Sequence, residues 1–266
     1  MNTLFLILLS IGMLGLFVFF AYAKPNSTRL TYIIVSSLNL VVVGLDLFFR
    51  HSRGWSADLS ATLNVTIFIC LLVYLLLVVI STESKRLAPV LSPYLIILAI
   101  IGLISVDGQQ EISDGFIKSS WLMIHIFASV LAYGVITLSA VASLSADIQA
   151  SSLRRKKLNW FASLLPSVIY SEGLVLRLLV VGEIILGFAL ITGFSHSYFL
   201  FGKIIVFDHK TIFVVIAFIL VAGLLILYRT RGARGKIATR IVLSSYLLIT
   251  LGYPGVKVVT EYLLQN

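Results

Sequence analysis

TLNVTIFICLLVYLLLVVI, residues 62–80, runs its whole length without a charged side chain. Its apolar residues are continuous rather than alternating. A strand with one face in water, or one wall of a lipid-facing barrel, alternates with a period of two. A continuous run that satisfies its own backbone groups internally reads as a helix. At this length the helix crosses the hydrocarbon core of a bilayer, which takes about 20 residues.

Seven more stretches share this character, at roughly 2–23, 31–49, 90–106, 119–142, 174–194, 211–228 and 239–262. The stretch 90–106 is the shortest. Across all 266 residues, 59% are hydrophobic and 12% charged, with a mean hydropathy of +1.07. A soluble domain carries roughly 25% charged residues. So little charge cannot coat a water-facing surface, and the solvent is lipid. The expected fold is all-α, a polytopic transmembrane helical bundle of about eight spans with no separate soluble domain.

The first span ends in AYAK, residues 21–24, whose Ala21 and Ala23 mimic a signal-peptidase site. A cleaved signal has a basic leading region and a shorter apolar core. Here the first basic residue is Lys24, after the span, and the segment reads as a retained helix. Cys70 is the single cysteine. It excludes an intrachain disulfide or a multi-thiolate metal site and reads as a small core residue.

The cations orient the bundle. The loops after the odd-numbered spans hold thirteen Lys and Arg, from Lys24 and Arg29 through Lys85, Arg86 and Arg154–Lys157 to Arg229–Arg240. The loops after spans two, four and six hold five: Arg50, Arg53, Lys118, Lys203 and Lys210. The positive-inside rule puts the odd loops in the cytoplasm and both termini outside. The net charge of +9 then reads as topology and contact with anionic lipid, not as nucleic-acid binding. In the longest loop, 143–173, Trp160, Phe161, Leu164, Leu165, Val168 and Ile169 recur at helical spacing behind four basic residues. This reads either as a short interfacial helix broken or kinked by Pro166, or as an ordinary basic anchor loop. YRTRGARGK, residues 228–236, reads as a tight turn held by phosphate headgroups.

Ionisable groups inside spans are costly and mark candidate sites. Asp46 has Arg50 four residues on, and an i,i+4 pair near a helix end accounts for it structurally. Glu183 stands near the middle of the sixth span, about 9 Å of helix rise past Arg177. It reads as a structural hydrogen-bond donor or as a proton or ligand site. The four histidines, His51, His125, His196 and His209, all fall toward the outer side of this topology. His125, in WLMIHIFASVLAYG (residues 121–134), lies only about 9 Å of helix rise below that surface. Ala128 and Ala132 form a small-residue stripe that admits a close helix or a flat ring. Tyr133 lies two turns below His125, on a similar face. Neutral imidazole ligates iron well, and a porphyrin fills an apolar cleft between helices. No HExxH, carboxylate cluster or nucleophile triad offers hydrolytic chemistry.

These residues resemble the cytochrome c assembly protein family, the CcsA and CcmC type. WLMIHIFASVLAYG resembles the histidine-to-tyrosine pattern that opens its domain. Leu165, Pro166 and Ser167, then Leu174 and Arg177, Gly182, Thr192 and Gly193 resemble its LPS, LxxR and apolar helix ending in TG. Asp208 and Lys210 stand where the family has WDPK, RGARGK resembles its RGWRGR turn, and LLITLGYPGVKVV its closing helix. The likeness covers about 115–262 and divides the chain into N-terminal transmembrane helices, 1–110, and an assembly-like domain, 111–266. The size is similar to the small YpjD/HemX-like inner-membrane branch.

The resemblance implies a multi-pass inner-membrane protein that binds and presents haem rather than turning over a substrate. Its partners would be the bilayer, haem and other cytochrome c maturation proteins. It implies His125 as a haem-iron ligand; His209 or His196 opposite it, and Tyr133 lining the site, are read from this chain's own residues and not from the family's pattern. The departures are specific. The Trp-rich WWD loop is missing, and so are the family's histidines before the RGWRGR turn and after the last helix. His209 replaces the proline of WDPK, which suggests a substitute ligand. Two other functions remain in view: a scaffold or accessory subunit that kept the fold without haem, and a small-solute transporter using Glu183 and Arg177.

Overall fold

The computed structural model describes residues 3–51, 59–105, 120–156, 159–202, 209–232 and 235–255. Every regular element among them is helical. The helices are α1 (Thr3–Ala23), α2 (Arg29–His51), α3 (Leu59–Ile80), α4 (Ala88–Ile104), α5 (Ser120–Arg154), α6 (Trp160–Leu164), α7 (Val168–Phe201), α8 (His209–Arg231) and α9 (Lys236–Thr250). A 3-10 turn, Thr82–Leu87, leads into α4, and a π-helical turn, Leu251–Gly255, extends α9. Pro254 sits in that turn and has no N–H for the α-helical ladder.

Seven of the described helical segments are long and apolar enough to cross a membrane. The eighth expected span is α9, whose 15 residues fall short alone but run on through the π turn. The chain is a multi-pass, all-α bundle. Two spans are longer than their hydropathy indicates. α5 has 35 residues and α7 has 34. At 1.5 Å per residue each is about 50 Å long, against a hydrocarbon core of about 30 Å. Most of the expected loop 143–173 is therefore helix. The continuation of α5 is rich in Ala and Ser and holds no Gly or Pro, so nothing stops it. Its Ala142, Ser143, Ser145 and Ala146 are buried.

The interfacial helix weighed for residues 160–169 is one turn only. Leu165, which precedes Pro166, is extended at φ −81 and ψ 159, as a residue before proline is pushed to be. Ser167 then caps α7, its side chain accepting from the Tyr170 N–H. Trp160 and Ile169 are exposed while Leu164 and Leu165 are buried.

α5 is the axis of the bundle and packs most extensively on α7. Around it, α1 packs on α2 and α4, α3 on α2, α4 and α5, and α9 on α5 and α8. One apolar core draws on α1–α5 and α7–α9, with Phe17, Tyr74, Leu91, Leu138 and Val221 fully enclosed. Cys70 is in it, 0% exposed.

Among the described glycines, the tightest fit against another helix is at Gly134. A Cβ built there would lie 2.3 Å from Ile69 Cγ2 on α3. That methyl is fixed by β-branching and cannot swing clear. Gly134→Ala is therefore expected to lower stability by about 1–3 kcal/mol, the usual cost of overpacking. In an Ile69→Ala background the same change should cost nothing, because the obstructing methyl is gone. Thermal unfolding in detergent, followed by dye labelling of buried Cys70, measures both. A full cost in both backgrounds would place the strain elsewhere.

The two ends of the bundle differ. At one end, Arg29 Nε donates to the Val78 carbonyl at 2.8 Å and its Nη2 to that of Val79, capping α3. Lys85 Nζ donates to the Ser27 carbonyl at 2.8 Å, and Tyr22 Oη to that of Pro89 at 2.6 Å. The Ser84 and Tyr170 hydroxyls meet at 2.6 Å. These contacts gather the loop after α1, the 3-10 turn and the start of α7 at one end. His125, Thr192, His196 and Lys210 lie at the other.

Candidate functional site

His125 is in the second turn of α5 and half-buried. Its ring crosses to α7. Nδ1 lies 2.9 Å from the Ala189 carbonyl oxygen and 3.3 Å from Thr192 Oγ1. Thr192 is 1% exposed, and its hydroxyl reaches the carbonyls of Phe188 and Ala189 in its own helix at 3.0 and 2.9 Å. The next residue, Gly193, lies under the imidazole. A Cβ there would be 2.8 Å from Cε1, 3.1 Å from Nδ1 and 3.5 Å from Nε2. Among the described residues Nε2 has no hydrogen-bond partner.

His196 is one turn beyond Thr192 on the same side of α7 and is half-buried. It and Lys210, at the start of α8, act on the His125 ring electrostatically. The structure thus brings His125, His196 and Lys210 to one end of the bundle. His209 is the first residue of α8, but its side chain and that of His51 lie outside the described residues, as do Asp208, Lys118 and Lys203.

Tyr133 belongs to a different set of contacts. Eight residues advance a helix by two turns and about 80°, so Tyr133 and His125 do not share a face. Tyr133 is 2% exposed. Its hydroxyl meets Tyr94 at 3.4 Å and Thr250 at 3.2 Å. Its ring stacks on Tyr246 with centroids 6.1 Å apart and approaches Tyr253 at 5.7 Å. The cluster ties α5 to α4, α9 and the π turn. The small-residue stripe is filled in the same way. Ala132 packs with Leu186, Ala217 and Ile249 of α7, α8 and α9.

Glu183 is half-buried on α7, nine residues or about 14 Å of rise from Thr192. Both of its carboxylate oxygens are sheltered and have no hydrogen-bond partner among the described residues. It stands apart from the histidines. Asp46 and Arg50 form the i,i+4 pair their spacing indicates, with Nε 2.9 Å from Oδ2. α3 completes it through Ser60 and Asn64. No group of three or more potential metal ligands occurs among the described residues. A cleft of about 60 Å³ opens at the cationic end, between Ala146, Arg154, Leu179, Leu225 and Tyr228. It does not reach His125.

Sequence reasoning singled out His125 but not what holds it. Thr192 and Gly193 appeared only as the TG that ends an apolar helix. Depth was the available signal, because both helices have these residues near the same membrane face.

The comparisons bear on the same region. The family described as Cytochrome C assembly protein matches residues 59–264, which takes in α3 and α4 as well as everything from α5 onward. A protein of Azospirillum brasilense described as "Uncharacterized 28.8 kDa protein in nifR3-like 5'region" is 37% identical over 210 residues. That alignment covers 79% of this chain and 78% of the relative. No solved structure matches the chain.

Proposed function

The chain belongs to the cytochrome c assembly protein family, and on that footing we propose that it handles haem in the membrane for c-type cytochrome maturation or haem biosynthesis. The membrane is the cytoplasmic one. The excess of Lys and Arg at the end opposite His125 supports an orientation with that cationic end in the cytoplasm, the His125 end outward and both termini outside. The protein binds and presents haem to a maturation partner and catalyses no turnover.

The observation that carries this reading is the state of His125. It is the sequence's one histidine set into an apolar run, half-buried between two helices. One ring nitrogen is held by α7, and the other has no protein partner among the described residues. A ligating histidine is held this way, by a carbonyl or carboxylate on its remote nitrogen. His125 would hold the iron; when bound, haem supplies an iron centre and two carboxylates. Lys210 is the nearby cation for an acidic edge. His196 is the nearer candidate for a second ligand, and His209 the alternative.

A second reading is a scaffold that kept the fold without haem. The filled small-residue stripe and the tied Tyr133 hydroxyl favour it, because both leave less room beside α5 than the sequence suggests. A visible spectrum of the protein in detergent, oxidised and reduced, decides between them. The haem reading expects a Soret band, either as isolated or after titration with haem. No band under either condition would leave the scaffold.

A further inference from the structure

The Ala189 carbonyl can only accept a hydrogen bond, so the ring nitrogen 2.9 Å from it must carry a proton. Thr192 agrees. Its hydroxyl proton is directed to the carbonyls one turn back on α7, which leaves Oγ1 to accept from the same Nδ1–H. In a neutral imidazole the second nitrogen then carries the lone pair. Turning the ring over would set a C–H against Ala189 and forfeit both contacts. Gly193 fixes the remaining freedom. The ring lies so close over its Cα that a single methyl would come within 2.8 Å of Cε1. The ring cannot retreat without pulling Nδ1 off the carbonyl.

We infer that Ala189, Thr192 and Gly193 of α7 form a seat that locks His125 as its Nδ1–H tautomer, making Nε2 the one nitrogen able to ligate a metal and Gly193 a positioning residue. The identity of the metal as haem iron rests on the function proposed above; the seat itself does not. The hydrogen bond to Ala189 also raises the donor strength of Nε2, as a partner on the remote nitrogen does in other metal-bound histidines. The helix that supplies the ligand, α5, and the helix that tunes it, α7, are therefore different.

The test reads the ring nitrogens directly. Protein labelled with 15N-histidine is examined by NMR in detergent without haem, and the His125 signals are identified by their loss in His125→Gln. The expected spectrum shows Nδ1 protonated and Nε2 bare. Gly193→Ala should give a mixed or reversed pattern and bind haem roughly 10–100-fold more weakly, the usual cost of disturbing such a partner. Thr192→Val should keep the wild-type tautomer, because the Ala189 carbonyl remains. Melting followed at Cys70 separates a moved ring from a damaged fold, and an unfolded Gly193→Ala leaves the wild-type and Thr192→Val spectra to decide. A protonated Nε2 in the wild type would overturn the seat whether or not haem binds. The expected tautomer with unchanged haem affinity in folded Gly193→Ala would remove Gly193 from the role. The expected tautomer in a protein that takes up no haem would leave the seat standing and remove the haem reading.

Discussion

Replacing His125 by alanine is expected to abolish the Soret band of haem-titrated protein while leaving its melting temperature nearly unchanged. Removing a group that merely supports a ligating histidine costs roughly 10–100-fold in affinity, and removing the ligand itself costs at least as much. Stability should change little, because the ring is half-buried at the end of the bundle rather than in the core. Its loss does strand the Ala189 carbonyl, but that oxygen still accepts from Thr192. Tyr133→Phe is the contrasting variant. Its hydroxyl is committed to Tyr94 and Thr250 on another face of α5, so the spectrum should not move. The two remaining candidates separate in the same assay. If His196 supplies the second ligand, His196→Ala shifts the band and His209→Ala does not. A His125→Ala protein that binds haem as tightly as the wild type, with the same spectrum, would defeat the assignment.

The contrast between His125 and Tyr133 shows what hydropathy can and cannot resolve. The spans were legible because lipid requires long continuous apolar runs, and residues 62–80 state that requirement without ambiguity. His125 was legible because an imidazole in such a run is costly. Its orientation was not legible. A shared face was inferred from a spacing of eight, yet two turns leave about 80° between the side chains. Tyr133 goes to α4 and α9, and the imidazole to α7. The partners on α7 lie more than sixty residues away in sequence, and no local pattern joins them. The ends of α5 and α7 were missed for a related reason. Hydropathy falls where Ser, Asp and Gln begin at residue 143, but the helix continues because neighbouring helices bury its small side chains. The break at Leu165–Ser167 was half legible: Pro166 announced it, whereas the cap supplied by Ser167 did not stand out.

The largest stability effect is expected at Asp46. Its carboxylate is 1% exposed and lies 2.9 Å from the guanidinium of Arg50, which is 8% exposed. Asn64 donates to Asp46 Oδ2 at 3.1 Å, and Arg50 Nη1 donates to Ser60 Oγ at 3.1 Å. The pair thus joins α2 to α3 inside the membrane. Asp46→Ala removes the compensating charge and leaves a buried guanidinium facing a hydroxyl alone. Breaking one side of a buried ion pair costs about 3–5 kcal/mol, because the surviving charge is stranded. In a bilayer that penalty falls only if Arg50 can reach the interface, and Arg50 is near the end of α2. The double variant Asp46→Leu/Arg50→Leu distinguishes these outcomes. It removes both charges and should recover most of the loss, since apolar replacement of a whole buried pair is often neutral or stabilising. Cys70 is 0% exposed and is the single thiol, so dye labelling on heating reports unfolding in all three proteins. A loss of less than about 1 kcal/mol in Asp46→Ala would mean that Arg50 escapes to the surface, as exposed pairs of that small worth do. A double variant no more stable than Asp46→Ala would assign the cost to Asn64 and Ser60, whose side chains would then be the polar groups left unpaired between α2 and α3.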